Sequence, residues 1–96
     1  MTYLLVAYDL VGPDDDPDDY ERLIDRLEQY PDCAKVQRST WLLKLDASAE
    51  EVAKDLVKLM GPTARLFVAE LTPEQTQTVA WMNAMCGSDR VKEILS

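Results

Sequence analysis

Apolar positions along the chain follow three rhythms: a continuous run, helical spacing and strict alternation. Residues 2–10 are almost uninterrupted apolar sequence, with Tyr3, Val6 and Tyr8 among them, which predicts a strand buried on both faces. An acidic, proline-bearing loop over 12–19 leads to a helix start, with Asp16 as N-cap, Pro17 at the first helical position and Asp18 and Asp19 where the dipole favours acids. Tyr20, Leu23, Ile24 and Leu27 then recur at helical spacing, while Glu21, Arg22, Asp25, Arg26 and Glu28 fill the other side. Pro31-Asp32 stops that helix. Residues 33–45 carry two strands with a tight hairpin near Arg38, and Trp41, Leu43 and Leu45 alternate with Leu42 and Lys44. Ser48-Ala49-Glu50-Glu51 is a capping box for a second helix striped by Val52, Leu56, Leu59 and Met60 and ended by Gly61-Pro62. A fourth strand is predicted over 65–71. Thr72-Pro73-Glu74-Gln75 opens a third helix, Gly87-Ser88 interrupts it, and Ser88 caps a short last helix carrying Val91, Ile94 and Leu95.

The order β-α-β-β-α-β predicts an α+β, ferredoxin-like antiparallel sheet with two helices on one face, plus a helical C-terminal tail. The right-handed crossover rule puts the first and third strands in the centre, and these are the more apolar ones. Residues 1–71 form the ferredoxin-like domain and 72–96 a helical extension of it. Two helices cover one sheet face only, so the tail or a second subunit must cover the other, and a homodimer is expected. Val79, Met82, Met85 and Cys86 form one stripe of the third helix with Trp81 offset from it. Trp81, Met82 and Met85, with Trp41 of the sheet, are the candidate interface residues, suited to a protein partner or to the chain's own open face.

Composition narrows the chemistry. Ninety-six residues hold one core, and the apolar runs are too short to cross a bilayer, so no membrane association is expected. Met1-Thr2 leads straight into the first strand with no basic stretch before it, so a cytoplasmic protein is expected. Cys33 and Cys86 have no metal-ligand spacing and read as core or surface thiols. The net charge of −8, from 18 acidic and 10 basic residues, disfavours nucleic-acid partners unless the cations gather on one face. Lys35, Arg38, Lys44 and Arg65 are the cations placed near the sheet, with a phosphate contact as one role for Arg38 and exposed hairpin and edge protection as the other. The chain contains no histidine, which removes the commonest general base and metal ligand, so nucleophilic catalysis by Ser39 or Thr40 is not expected.

Two segments carry a resemblance. Leu5-Val6-Ala7-Tyr8-Asp9-Leu10 and Val36-Gln37-Arg38-Ser39-Thr40-Trp41 look like the two signatures of the CRISPR-associated adaptation nuclease family, whose small ferredoxin-like subunit bridges the spacer integrase. Tyr8-Asp9-Leu10, Asp19-Tyr20, Ser39-Thr40-Trp41-Leu42 and Ser48-Ala49-Glu50-Glu51 are similar to short SinR-annotated proteins, which are unrelated to the biofilm repressor. The likeness spans about residues 2–71. It implies that Asp9 is a catalytic carboxylate at which two copies hold Mg²⁺ or Mn²⁺ across a dimer axis, with Tyr8, Arg38 and Ser39 beside it as binding residues. The other reading of Asp9 is a strand-end carboxylate accepting backbone N–H bonds from the following turn. After the Tyr-Asp pair the family generally carries basic residues, whereas this chain carries Asp14-Asp15-Asp16 and Asp18-Asp19. Those acids lack the spacing, central glycine and terminal glutamate of a calcium loop and read as a solvated loop with a helix cap.

Three function classes follow. First is a noncatalytic dimeric scaffold with the nuclease-like fold, which tolerates the acidic charge. Second is a metal-dependent ribonuclease or deoxyribonuclease using Asp9. Third is a binder of a small anionic ligand such as a nucleotide.

Overall fold

The computed structural model describes residues 2–9, 17–61, 64–72, 74 and 79–96. Strand β1 (Thr2–Asp9) is followed by helix α1 (Pro17–Glu28), strands β2 (Asp32–Gln37) and β3 (Thr40–Leu45), helix α2 (Ala49–Val57), strand β4 (Arg65–Leu71) and helix α3 (Ser88–Leu95). The sheet order is β2-β3-β1-β4 with every neighbour antiparallel. The ferredoxin-like arrangement is therefore present, with the two most apolar strands in the centre as expected.

Side chains in β1 alternate between two faces, and register carries that alternation across the sheet. Leu4, Val6 and Tyr8 lie opposite Leu43, Trp41 and Leu66 or Val68 of the neighbouring strands and form the front core with Leu23 and Leu27 of α1 and Val52 and Leu56 of α2. The indole Nε1–H of Trp41 donates to the Tyr8 hydroxyl at 3.1 Å, which gives two buried aromatic side chains their polar partner. At the start of α2, Ser48 Oγ accepts the Glu51 N–H at 3.2 Å, the cap its sequence predicts.

An electrostatic clip ties α1 to α2. Arg26 Nε meets Asp55 Oδ2 at 2.7 Å, the Tyr30 hydroxyl donates to the same oxygen at 3.1 Å, and the Arg26 guanidinium lies 4.6 Å from the Tyr30 ring centre. Arg26 and Asp55 are each about one-third exposed, so solvent screening holds the pair to about 1 kcal/mol or less. Burial, and then the bond to Asp55, pushes the Tyr30 hydroxyl above its ordinary value, with the Arg26 charge acting against them.

The back face has a different cover. Leu5, Ala34, Val36, Leu42 and Leu71 pack with Val91, Ile94 and Leu95 of α3 into a second cluster. Arg90 donates through Nε and Nη2 to the Cys33 carbonyl at 3.3 and 3.1 Å and pairs with Glu93 at 2.8 Å, fixing α3 on β2. At the far end of the helix, the Ser96 carbonyl accepts from the Tyr3 hydroxyl at 3.2 Å and from Lys44 Nζ at 3.0 Å. Burial pushes the Cys33 thiol above its ordinary value, against the lowering charge of Arg90, so it stays protonated and poorly reactive at neutral pH.

The third predicted helix does not run through the tail. Residues 73 and 75–78 of its start lie outside the described residues, and 79–87 form bends and turns. One local and one tertiary feature cause this: Asn83 takes a left-handed φ of 55°, and the Met85 N–H bonds the Val36 carbonyl at 3.1 Å instead of a carbonyl one helical turn back. Gly87, at φ 90°, then turns the chain into α3 in a conformation that side-chain-bearing residues rarely adopt. Ser88 is the first helical residue, not the cap; its hydroxyl accepts the Trp81 indole N–H at 3.1 Å. Among the described residues no helix is long and apolar enough to cross a membrane.

Ile94→Ala empties a fully buried site under α3 and should cost about 2–5 kcal/mol in urea unfolding. A loss below 0.5 kcal/mol would show that α3 adds little to the fold, a threshold of roughly the size seen for surface substitutions. The Tyr30 shift gives a sign for alkaline pH. The folded state holds the Tyr30 proton more tightly than the unfolded state. Its stabilising effect is therefore complete below the ordinary tyrosine value of 10.0 and is lost as pH rises through the folded value. Unfolding free energies measured through that range should fall more steeply for the wild type than for Tyr30→Phe. Parallel curves would remove the effect.

Candidate functional site

Asp9 is the last residue of β1 and belongs to the back-face set that also includes Tyr3, Leu5 and Ala7. Register places Asp9 opposite Arg65, and Ala7 between Phe67 of β4 and Thr40 of β3. The Tyr8 N–H donates to the Ser39 carbonyl at 3.0 Å, which holds the β2–β3 hairpin against the end of β1. The result is a cavity of about 400 Å³ whose lining includes Asp9, Ser39, Thr40, Arg65 and Phe67. α3 covers the opposite end of the back face, where Tyr3 and Lys44 reach Ser96, and it leaves the Asp9 end uncovered.

Three of the residues predicted from sequence, Tyr8, Asp9 and Ser39, thus come together. Their exposures differ. Asp9 is exposed, and none of the salt bridges among the described residues uses it. Tyr8 is buried, and its hydroxyl accepts from Trp41, so its contribution here is the main-chain bond to Ser39. Trp41 is only 2% exposed, and its own chain already buries it completely. Arg38, next to Ser39 in sequence, lines a different cavity together with Trp81, Met82 and Met85. The residues after Asp9, including the acids at 14–16 and any turn that would bond its carboxylate, lie outside the described residues.

Phe67 is the residue that sequence reasoning missed, and at 63% exposed it is the most exposed aromatic of the described sheet. The alternation of β4 holds the signal: Leu66 and Val68 pack on the front core, so Arg65 and Phe67 must face the other way. As a donor set the site offers oxygen atoms only, the Asp9 carboxylate and Ser39, which suits a hard cation such as Mg²⁺ or Mn²⁺. One carboxylate per chain is a small share of such a site, and the described residues hold no group of three His, Cys, Asp or Glu side chains placed for a metal. The donors fit the cation if two copies bring their Asp9 residues together.

A search of curated proteins returns no match. The family model described as CRISPR associated protein Cas2 matches residues 1–79, a span that takes in all four strands and the two helices between them. The chain belongs to the Cas2 family of CRISPR-associated proteins.

Proposed function

We propose that the chain is a noncatalytic, cytoplasmic, dimeric scaffold of the Cas2 type that joins protein partners in the spacer-integrating assembly of a CRISPR system. Within the family we group it with the short SinR-annotated proteins, on the strength of Tyr8-Asp9-Leu10, Ser39-Thr40-Trp41-Leu42 and Ser48-Ala49-Glu50-Glu51. One observation carries the reading: Phe67 stands exposed on edge strand β4, beside Asp9, on the half of the back face that α3 leaves open. A large apolar side chain on an open sheet edge is a liability unless another surface covers it. A second copy is the economical cover, since twofold pairing there buries two Phe67 side chains together. The net charge of −8 suits a protein-binding subunit better than one that must draw a phosphate backbone to its surface.

A metal-dependent nuclease is the second reading, favoured by the exposed Asp9 carboxylate with Arg65 opposite and Ser39 beside it. In that case the two Asp9 carboxylates of a dimer would hold the cation. A bound Mg²⁺ or Mn²⁺ supplies an activated water and charge neutralisation for phosphodiester hydrolysis. Arg65 would contribute a guanidinium for a phosphate oxygen.

Sedimentation should find a dimer for the wild type and a monomer for Phe67→Asp, while circular dichroism shows both folded. A monomeric wild type, or a variant that stays dimeric, contradicts the pairing surface. RNA and DNA should remain intact with Mg²⁺ or Mn²⁺ for both the wild type and Asp9→Ala. Cleavage that vanishes in Asp9→Ala would replace the scaffold reading with the nuclease.

A further inference from the structure

A larger cavity of about 590 Å³ lies on the back face between the sheet and the turns over 79–85. Leu5, Leu42 and Val91 contribute apolar surface from the sheet and α3, and Trp81, Met82 and Met85 contribute it from the turns. Two bonds hold this wall in place: the Met85 N–H to the Val36 carbonyl and the Trp81 indole to Ser88, each at 3.1 Å. The Thr40 hydroxyl, which also borders the Asp9 cavity, donates to Gln37 Oε1 at 3.2 Å. Among the described residues lining the cavity, Arg38 is the only charged one. It is exposed and forms no salt bridge with the described residues.

Charge makes this arrangement informative. The chain carries 18 acids against 10 bases, yet among the described residues no carboxylate lines this cavity and an arginine does. An anion entering elsewhere on the surface meets repulsion, and here it meets a guanidinium at the edge of apolar surface. The volume falls within the roughly 300–1,000 Å³ of small-molecule sites, which combine apolar walls with a few orienting polar groups. Tryptophan and two methionines favour a flat aromatic body, through offset ring packing and sulfur–ring contacts. The guanidinium fork favours a planar or tetrahedral oxyanion.

We propose that this cavity binds a small amphipathic anion, with its aromatic body against Trp81, Met82 and Met85 and its terminal carboxylate, sulfonate or phosphate on Arg38. The site is independent of whether Asp9 catalyses and of whether Phe67 pairs two copies.

The test uses two probes with one aromatic body, 8-anilinonaphthalene-1-sulfonate and the uncharged N-phenyl-1-naphthylamine, titrated calorimetrically into the full chain. The sulfonate should bind saturably at one site per chain, and Arg38→Gln should weaken it about tenfold, the size of one charge-assisted hydrogen bond, while leaving the neutral probe unchanged. Met82→Glu, at a position 86% exposed, should weaken both probes by removing a contact to the aromatic body, and the sulfonate more strongly because it also meets a carboxylate on the wall. Nitrogen–proton spectra locate the site: the Trp81 indole signal should move on titration and that of Trp41, buried on the front face, should not. Absence of saturable binding, equal weakening of both probes by Arg38→Gln, or movement at Trp41 without movement at Trp81 each overturns the proposal. Sulfonate affinity that rises only as the dimer dissociates assigns the cavity to a second copy and overturns it as well.

Discussion

The structure depends on one constraint, that β1 is paired on both sides and has to be covered on both faces. Its N–H and C=O groups are satisfied by β3 and β4, so stability turns on the side chains. Leu4, Val6 and Tyr8 face the front, and Leu5 and Ala7 face the back. The helices between the strands are a cover for the front alone, because both crossovers pack on that side. The back face therefore needs a separate solution, and everything distinctive about this chain follows from how far that solution reaches.

It reaches halfway. α3 sits over the β2–β3 side, anchored by Arg90 on the Cys33 carbonyl and by Tyr3 and Lys44 on Ser96, and there Val91 and Ile94 are almost fully buried. Among the described residues, the β1–β4 end carries Asp9, Arg65 and the exposed Phe67 without such a cover. The two cavities are the margins of this division. One lies where the turns over 79–85 meet the sheet, the other where the hairpin meets the end of β1, and Thr40 borders both. A helix too short to span the sheet thus gives the protein two chemically different surfaces.

Elements whose signal is local were legible in the sequence. The Ser48 cap, the strand at 65–71 and the central place of the apolar strands all rest on spacing of a few residues, and the structure has them where the sequence places them. The meeting of Tyr8, Asp9 and Ser39 was legible too, since a tight hairpin near Arg38 brings the start of β3 back beside the end of β1. The tail was not. Val79, Met82, Met85 and Cys86 have helical spacing, but a tertiary bond from Met85 to Val36 and the left-handed turn at Asn83 override it. Helical periodicity reports where apolar residues cluster in sequence, not that a helix forms, and here the turns leave Met82 and Met85 exposed. Trp41 shows the converse: its size suggests an interface, while its parity with Val6 commits it to the front core. Phe67 escaped notice because its strand carries apolar residues on both faces, so only register shows which face lacks a cover.

Charge then separates the two surfaces. An excess of acids raises the energy of any anion near the chain, so an anion site has to gather cations or exclude carboxylates locally. The Asp9 cavity does neither fully, since its arginine lies across from its aspartate. Among the described residues the Arg38 cavity is lined by no carboxylate. The two cavities thus differ in charge by position: a carboxylate faces an arginine at the end of β1, and an arginine stands without a carboxylate among the described residues behind the hairpin. The hairpin itself is the divider, because Arg38 and Ser39 are neighbours in the turn yet line different cavities, so a change in that turn would act on both surfaces at once.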